Sequence, residues 1–165
     1  MKVVGLAPLV PIMPDLKNEV HRQWQSYNAY TWAFKDYLAA GIVEDMDGEE
    51  MEMVYNMVDP MSYMDRLEKI PKLIMISSDD EFMQFDWTNI WYDKMRGETH
   101  IDIVANSEHS MITGIIPSLS NIGTFFRSIA SGKTSRPTFD YKYDEATGQI
   151  SITLPKSQVK PLSVY

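Results

Sequence analysis

The sequence has no cysteine among its 165 residues, which excludes disulfides, thiolate metal ligation and a cysteine nucleophile. The compartment stays open, because an exported domain with a large enough core needs no bridges. No apolar run reaches the length needed to cross a bilayer. Lysine and arginine form no cluster. With 15 basic against 23 acidic residues and a formal net charge of -8, a nucleic-acid partner is disfavoured. Phosphate-cradling glycine loops and His/Glu zinc spacings are missing, so the sequence calls for no cofactor and no metal. No Gly-x-Ser-x-Gly occurs either, and Ser26, Ser62, Ser77 and Ser78 are not on glycine-flanked strand-to-helix turns.

What is present is an ordinary globular composition. Four Trp, nine Tyr and six Phe supply large apolar surface for a core, enough for one domain or part of a larger one. The acidic run Glu44–Glu50 lacks the alternating Asp/Asn spacing of a calcium loop and reads as a solvated loop or helix start. The stretch from Val3 to Val10, ended by Pro11 and Pro14, is too short and too Pro-interrupted for a signal peptide. It predicts a parallel strand covered on both faces.

Helical spacing of Tyr27, Tyr30, Phe34, Tyr37 and Leu38 predicts an aromatic helix stopping at Gly41. Packed as core or as a cap, this stripe could cover a substrate pocket. A second helix is expected from about Gly48 to Val58, ended by Asp59-Pro60. Lys72–Ile76 and His100–Val104 read as strands, with a helix between them that Asp86 could cap and Gly97 close. Strand, helix and strand make a βαβ unit, right-handed on general grounds. A further helix spans Ile115 to about Ala130, with Leu119, Ile122, Phe125, Phe126 and Ile129 on one face. Beyond a linker at Ser131–Pro137, two alternating runs, Thr138–Tyr143 and Ile150–Leu154, flank turn residues and predict a β-hairpin. Val159–Tyr165 is one more possible strand.

In sheets of this kind function gathers at the carboxyl ends of the strands, where Asp80 and His109 both fall. A histidine moves the proton of a hydrolytic triad, an acid fixes its tautomer, and the chain order is nucleophile, acid, histidine. Asp80 and His109 fit the last two places. Asp79 competes for the acid role, with Glu81 a weaker rival. The plainer alternative is an Asp that caps a turn and a loop histidine that is only a polar surface residue. His100, at a strand start, shows no partner, and His21 reads as a structural residue in a polar turn.

Trp24-Gln25-Ser26-Tyr27, Ala33-Phe34-Lys35-Asp36-Tyr37 and Gly41-Ile42 resemble the cap region of the PhoPQ-activated pathogenicity-related proteins. Val58-Asp59-Pro60-Met61-Ser62-Tyr63, Asp65-Arg66-Leu67, Pro71-Lys72, Asp80-Glu81-Phe82 and Glu108-His109-Ser110 continue the match in order over about residues 2–132. Departures fall at Asp79, where Gly is common, and at Phe85, where Pro is common. The resemblance implies an α/β fold: a partial α/β-hydrolase-like domain over 1–132 with a helical cap at about 15–65, then a linker and the start of a β-rich domain over 133–165. It also implies Asp80 and His109 as acid and histidine of a peptidase- or esterase-like serine hydrolase, with the nucleophile in a segment before Met1. The chain by itself is then expected not to turn over substrate. An exported location follows from the family as well, although this chain carries no signal peptide. The partner is a small-molecule or peptide substrate or, if the scaffold serves a non-enzymatic signalling role, a cell-surface receptor.

Overall fold

The computed structural model describes residues 2–11, 14–132, 136 and 139–155. These fall into two compact units, 1–126 and 127–165. The strand expected over Val159–Tyr165 and most of the linker expected over Ser131–Pro137 lie outside the described residues.

The first unit is mixed α/β. At its centre β1 (Lys72–Ser77) pairs in parallel with β2 (Thr99–Val104), in register from Lys72 opposite Thr99 to Ser77 opposite Val104. All six residues of β1 are buried, as a continuous apolar strand packed on both faces should be. Lys72 is tolerated inside because its ammonium donates to the carbonyls of Leu67, Ile70 and Arg96.

The segment before Pro11 runs parallel to β1 on the side away from β2, but it is not the strand expected. It bonds at two isolated bridges, Leu6 to Lys72 and Leu9 to Met75. Pro8 has no N–H to give a ladder, and Val10 turns the chain at φ 39. Nor is it covered on both faces, since Val3, Val4 and Leu9 are exposed.

Helices α1 (Leu16–Tyr27), α2 (Lys35–Ala39), α3 (Glu49–Val58) and α4 (Met64–Leu67) precede β1. The aromatic helix expected through Leu38 is broken. Asn28 takes a left-handed conformation at φ 52, ending α1, and a 3₁₀ turn at Trp32–Phe34 starts the chain afresh. Helical periodicity on both sides of the break concealed it. Phe34 is buried, whereas Trp24, Tyr27 and Trp32 are exposed. Gly41 does stop α2 at φ 70, with the Ile42 N–H reaching back to the Tyr37 carbonyl. The Glu44–Glu50 run is a largely exposed turn leading into α3.

The connection between β1 and β2 is a 3₁₀ turn at Phe85–Trp87, the single-turn helix α5 (Thr88–Trp91) and another 3₁₀ turn at Tyr92–Lys94. Asp86 does not cap it. Its carboxylate accepts instead from the Arg22 guanidinium at 2.9 Å. Trp87 and Trp91 join Val20, Phe34, Met46, Tyr55, Ile74, Ile76 and Met83 in the core. Helix α6 (Ile115–Ala130) follows β2, with Ser118 and Phe125 buried and Leu119 exposed, contrary to the face expected for it.

In the second unit β3 (Asp140–Asp144) and β4 (Gln149–Thr153) form the expected antiparallel hairpin. Asp144 holds the turn by accepting from the N–H groups of Ala146 and Thr147, and Gly148 supplies the positive φ.

Candidate functional site

The parallel register ends β1 at Ser77 and β2 at Val104, so the two following loops leave the same sheet edge. Backbone bonds tie them together. Ser78 N–H donates to the Val104 carbonyl and Asp79 N–H to the Ser107 carbonyl, each at 3.0 Å, while Asn106 N–H donates to Ser78 Oγ at 2.8 Å. Below them the buried hydroxyls of Ser77 and Ser107 lie 3.4 Å apart.

This frame brings Asp80 to His109. The imidazole Nδ1 lies 3.0 Å from both carboxylate oxygens. The Asp80 side chain is fully buried, and its Oδ1 also accepts the backbone N–H groups of Phe82 and Met83 at 2.8 and 2.9 Å. A carboxylate accepting three donors has one usable orientation, and a carboxylate facing Nδ1 fixes the proton there. Nε2 has no hydrogen-bond partner among the described residues, and the imidazole is 26% exposed. The lone pair on Nε2 is thus the one free to take a proton.

The rival acids separate cleanly. Asp79 is exposed, with its carboxylate on Ser78 Oγ. Glu81 turns its carboxylate to the backbone N–H of His109 at 3.0 Å rather than to the ring. The other histidines lie elsewhere. His21 is in α1, not in a turn, and pairs with Asp47 at 3.1 Å. His100 has a partner after all, Glu98 at 2.8 Å.

The loop carrying His109 is braced by its own acid. Glu108 accepts from the hydroxyls of Ser110 and Thr113 and from the Ile112 N–H, and these bonds draw its carboxyl down to about 2. Phe82 packs its ring on the imidazole, centroids 4.7 Å apart.

Three residues that sequence patterns did not single out support the site from α1 and the segment after it. Gln23, fully buried on α1, donates to the Phe82 carbonyl at 2.7 Å and accepts the Thr31 N–H at 3.0 Å. Thr31 Oγ1 donates to the Glu81 carbonyl at 2.5 Å. Glu19, one turn before Gln23, is only 3% exposed, and neither carboxyl oxygen has a hydrogen-bond partner among the described residues. Burial, then the charges of Asp80, Asp59 and Asp15, push its carboxyl up to about 12, so Glu19 is neutral when folded. The available signal was positional: Glu19, Val20 and Gln23 share the buried face of α1.

The model of the PhoPQ-activated pathogenicity-related protein matches residues 1–165. The chain belongs to this family. The match runs past residue 132 and takes in the hairpin, further than the motifs alone carried the resemblance. Among curated relatives, the autocrine proliferation repressor protein A of Dictyostelium discoideum is 33% identical over 173 residues, covering 99% of this chain. The chain spans 34% of that relative's length. No solved structure gives a significant match. Within this PhoPQ-related chain, the paired Asp80 and His109 fall in two of the segments that carried the resemblance, Asp80-Glu81-Phe82 and Glu108-His109-Ser110. No described helix is long and apolar enough to cross a membrane.

Proposed function

We propose that this chain carries the acid and the histidine of a serine-hydrolase-type triad on the C-terminal part of an α/β-hydrolase-like sheet. One observation carries the reading: a fully buried Asp80 holds Nδ1 of a part-exposed His109 whose Nε2 is free. In the reaction, Nε2 takes the proton of a serine hydroxyl as its oxygen attacks the substrate carbonyl. Asp80 stabilises the imidazolium, which then returns the proton to the leaving group. The order nucleophile, acid, histidine puts the serine ahead of Asp80. Ser26, Ser62, Ser77 and Ser78 lack the glycine-flanked strand-to-helix turn of such a nucleophile, which supports a serine supplied by the natural-length protein. The substrate is a small ester, amide or peptide met outside the cell.

A fluorophosphonate probe on the natural-length protein should label a serine, and His109→Ala should abolish the labelling. Asp80→Asn, which frees the imidazole to take the wrong tautomer, should slow labelling by roughly 10³–10⁴-fold, as in the well-studied protease triad. Absence of label on folded protein sinks the reading.

A second reading is favoured by the relative's name, which is that of a proliferation repressor. The same scaffold then serves as an exported signal that binds a cell-surface receptor without chemistry. Cell binding that survives His109→Ala and Asp80→Ala, with no serine labelled, is the outcome expected of it.

A further inference from the structure

Beneath the cap lies a cavity of about 230 Å³ whose lining includes Val20, Phe34, Met46, Met51, Tyr55 and Phe82. Of its lining residues Tyr37 and Ile42 are the exposed ones, at 37% and 39%. The lining is apolar apart from tyrosine hydroxyls, and that of Tyr55 already donates to the Met46 carbonyl at 2.9 Å. A charged or strongly hydrogen-bonding guest would find no partner there and would lose its hydration. The size sets the class of guest: a roughly 150 Å³ cavity of Leu, Ile and Phe takes up benzene, whereas drug-sized ligands need about 300–1,000 Å³. Three methionines in the wall, Met46, Met51 and Met83, adapt their shape at low cost.

The position of the cavity gives it a role. Phe82 lines the cavity and its ring also packs on His109 at 4.7 Å, so one aromatic side chain touches both cavity and imidazole. The backbone of Phe82 belongs to the site too: its N–H donates to Asp80 and its carbonyl accepts from Gln23. A guest pressing on Phe82 therefore bears on both members of the pair.

We propose that this cavity is a specificity pocket, taking an uncharged phenyl- or short-alkyl-sized group of the substrate processed at His109. The assignment of a substrate rests on the triad reading, whereas uptake of the apolar group does not. With methionine methyls labelled in ¹³C, titration with toluene should shift the signals of Met46, Met51 and Met83, and benzoate should not. Met51→Trp, which fills the cavity, should weaken toluene uptake at least ten-fold. Val43→Phe, at another point of the lining, serves the same end if the tryptophan variant fails to fold. In the natural-length protein, p-nitrophenyl phenylacetate should be cleaved at least ten-fold faster than p-nitrophenyl acetate, and filling the cavity should erase that preference. Toluene uptake without any hydrolysis keeps the cavity as a ligand site and fails the triad. Hydrolysis without toluene uptake, or a preference untouched by either filling variant, overturns the pocket.

Discussion

Glu81 and His109 are joined through the main chain, the Glu81 carboxylate accepting the His109 backbone N–H at 3.0 Å. Adjacent acids on one loop thus divide the histidine between them, Asp80 taking the ring and Glu81 the backbone. Glu81→Ala should cost about 1.5–3 kcal/mol, the range for a hydrogen bond to a charged group. Glu81→Gln, which keeps an acceptor, should cost less. Urea unfolding of both variants checks this, and equal stability of Glu81→Ala and the parent would refute the role.

Gln23 is the clamp between α1 and the acid loop. Truncation to Ala leaves the Phe82 carbonyl and the Thr31 N–H without their partners, each worth about 1–3 kcal/mol when buried. A loss of about 2–6 kcal/mol is expected. Hydrogen exchange should also rise at the N–H groups of Phe82 and Met83, because the loop bearing Asp80 loses its brace. Unchanged protection there would show that α1 does not hold the loop.

Glu19 gives stability a pH slope. Folded, its carboxyl keeps the proton up to about 12; unfolded, it gives the proton up above its ordinary 4.5. The folded state therefore binds more protons between those values, and stability falls as pH rises through that window. Its contribution is complete below 4.5 and is diminished by about 3 kcal/mol at pH 7, at about 1.4 kcal/mol per unit. Glu19→Gln, neutral at every pH, should remove this slope and gain on the parent by about that amount between pH 5 and 7. Parallel stability curves for the two proteins would place the proton elsewhere.

Gly114 fixes the floor under the histidine loop. A Cβ there would overlap the Val104 side chain and lie 2.8 Å from the Oγ of the fully buried Ser107. Gly114→Ala should cost about 1–3 kcal/mol by overpacking and displace the Ser107 carbonyl that holds the Asp79 N–H. Slower serine labelling with the fold retained is the expected result, and a labelling rate equal to the parent's argues against a shared frame.

Asp80 and His109 were legible because each follows a strand, the first read from a continuous apolar run and the second from a weaker alternation, and a parallel pair delivers both loops to one edge. Pattern alone left Asp79 and Glu81 as rivals and the family resemblance pointed to Asp80; which carboxylate meets the ring depends on how the turn points each one. The first strand and the long aromatic helix failed for a different reason. Apolar periodicity continues through Pro8 and Asn28, but a missing N–H and one left-handed residue break the backbone there.

The sequence alone determined the βαβ unit, the hairpin, the order of acid and histidine and, through its motifs, the family. These follow from local patterns of apolar and turn-forming residues. Only the tertiary structure decided that Glu81 holds the histidine backbone, that Gln23 and Thr31 bind α1 and the turn after it to the acid loop, and that Glu19 lies neutral behind Asp80. Such roles belong to residues distant in sequence, from Glu19 to His109, and burial and hydrogen bonding across that distance assign them.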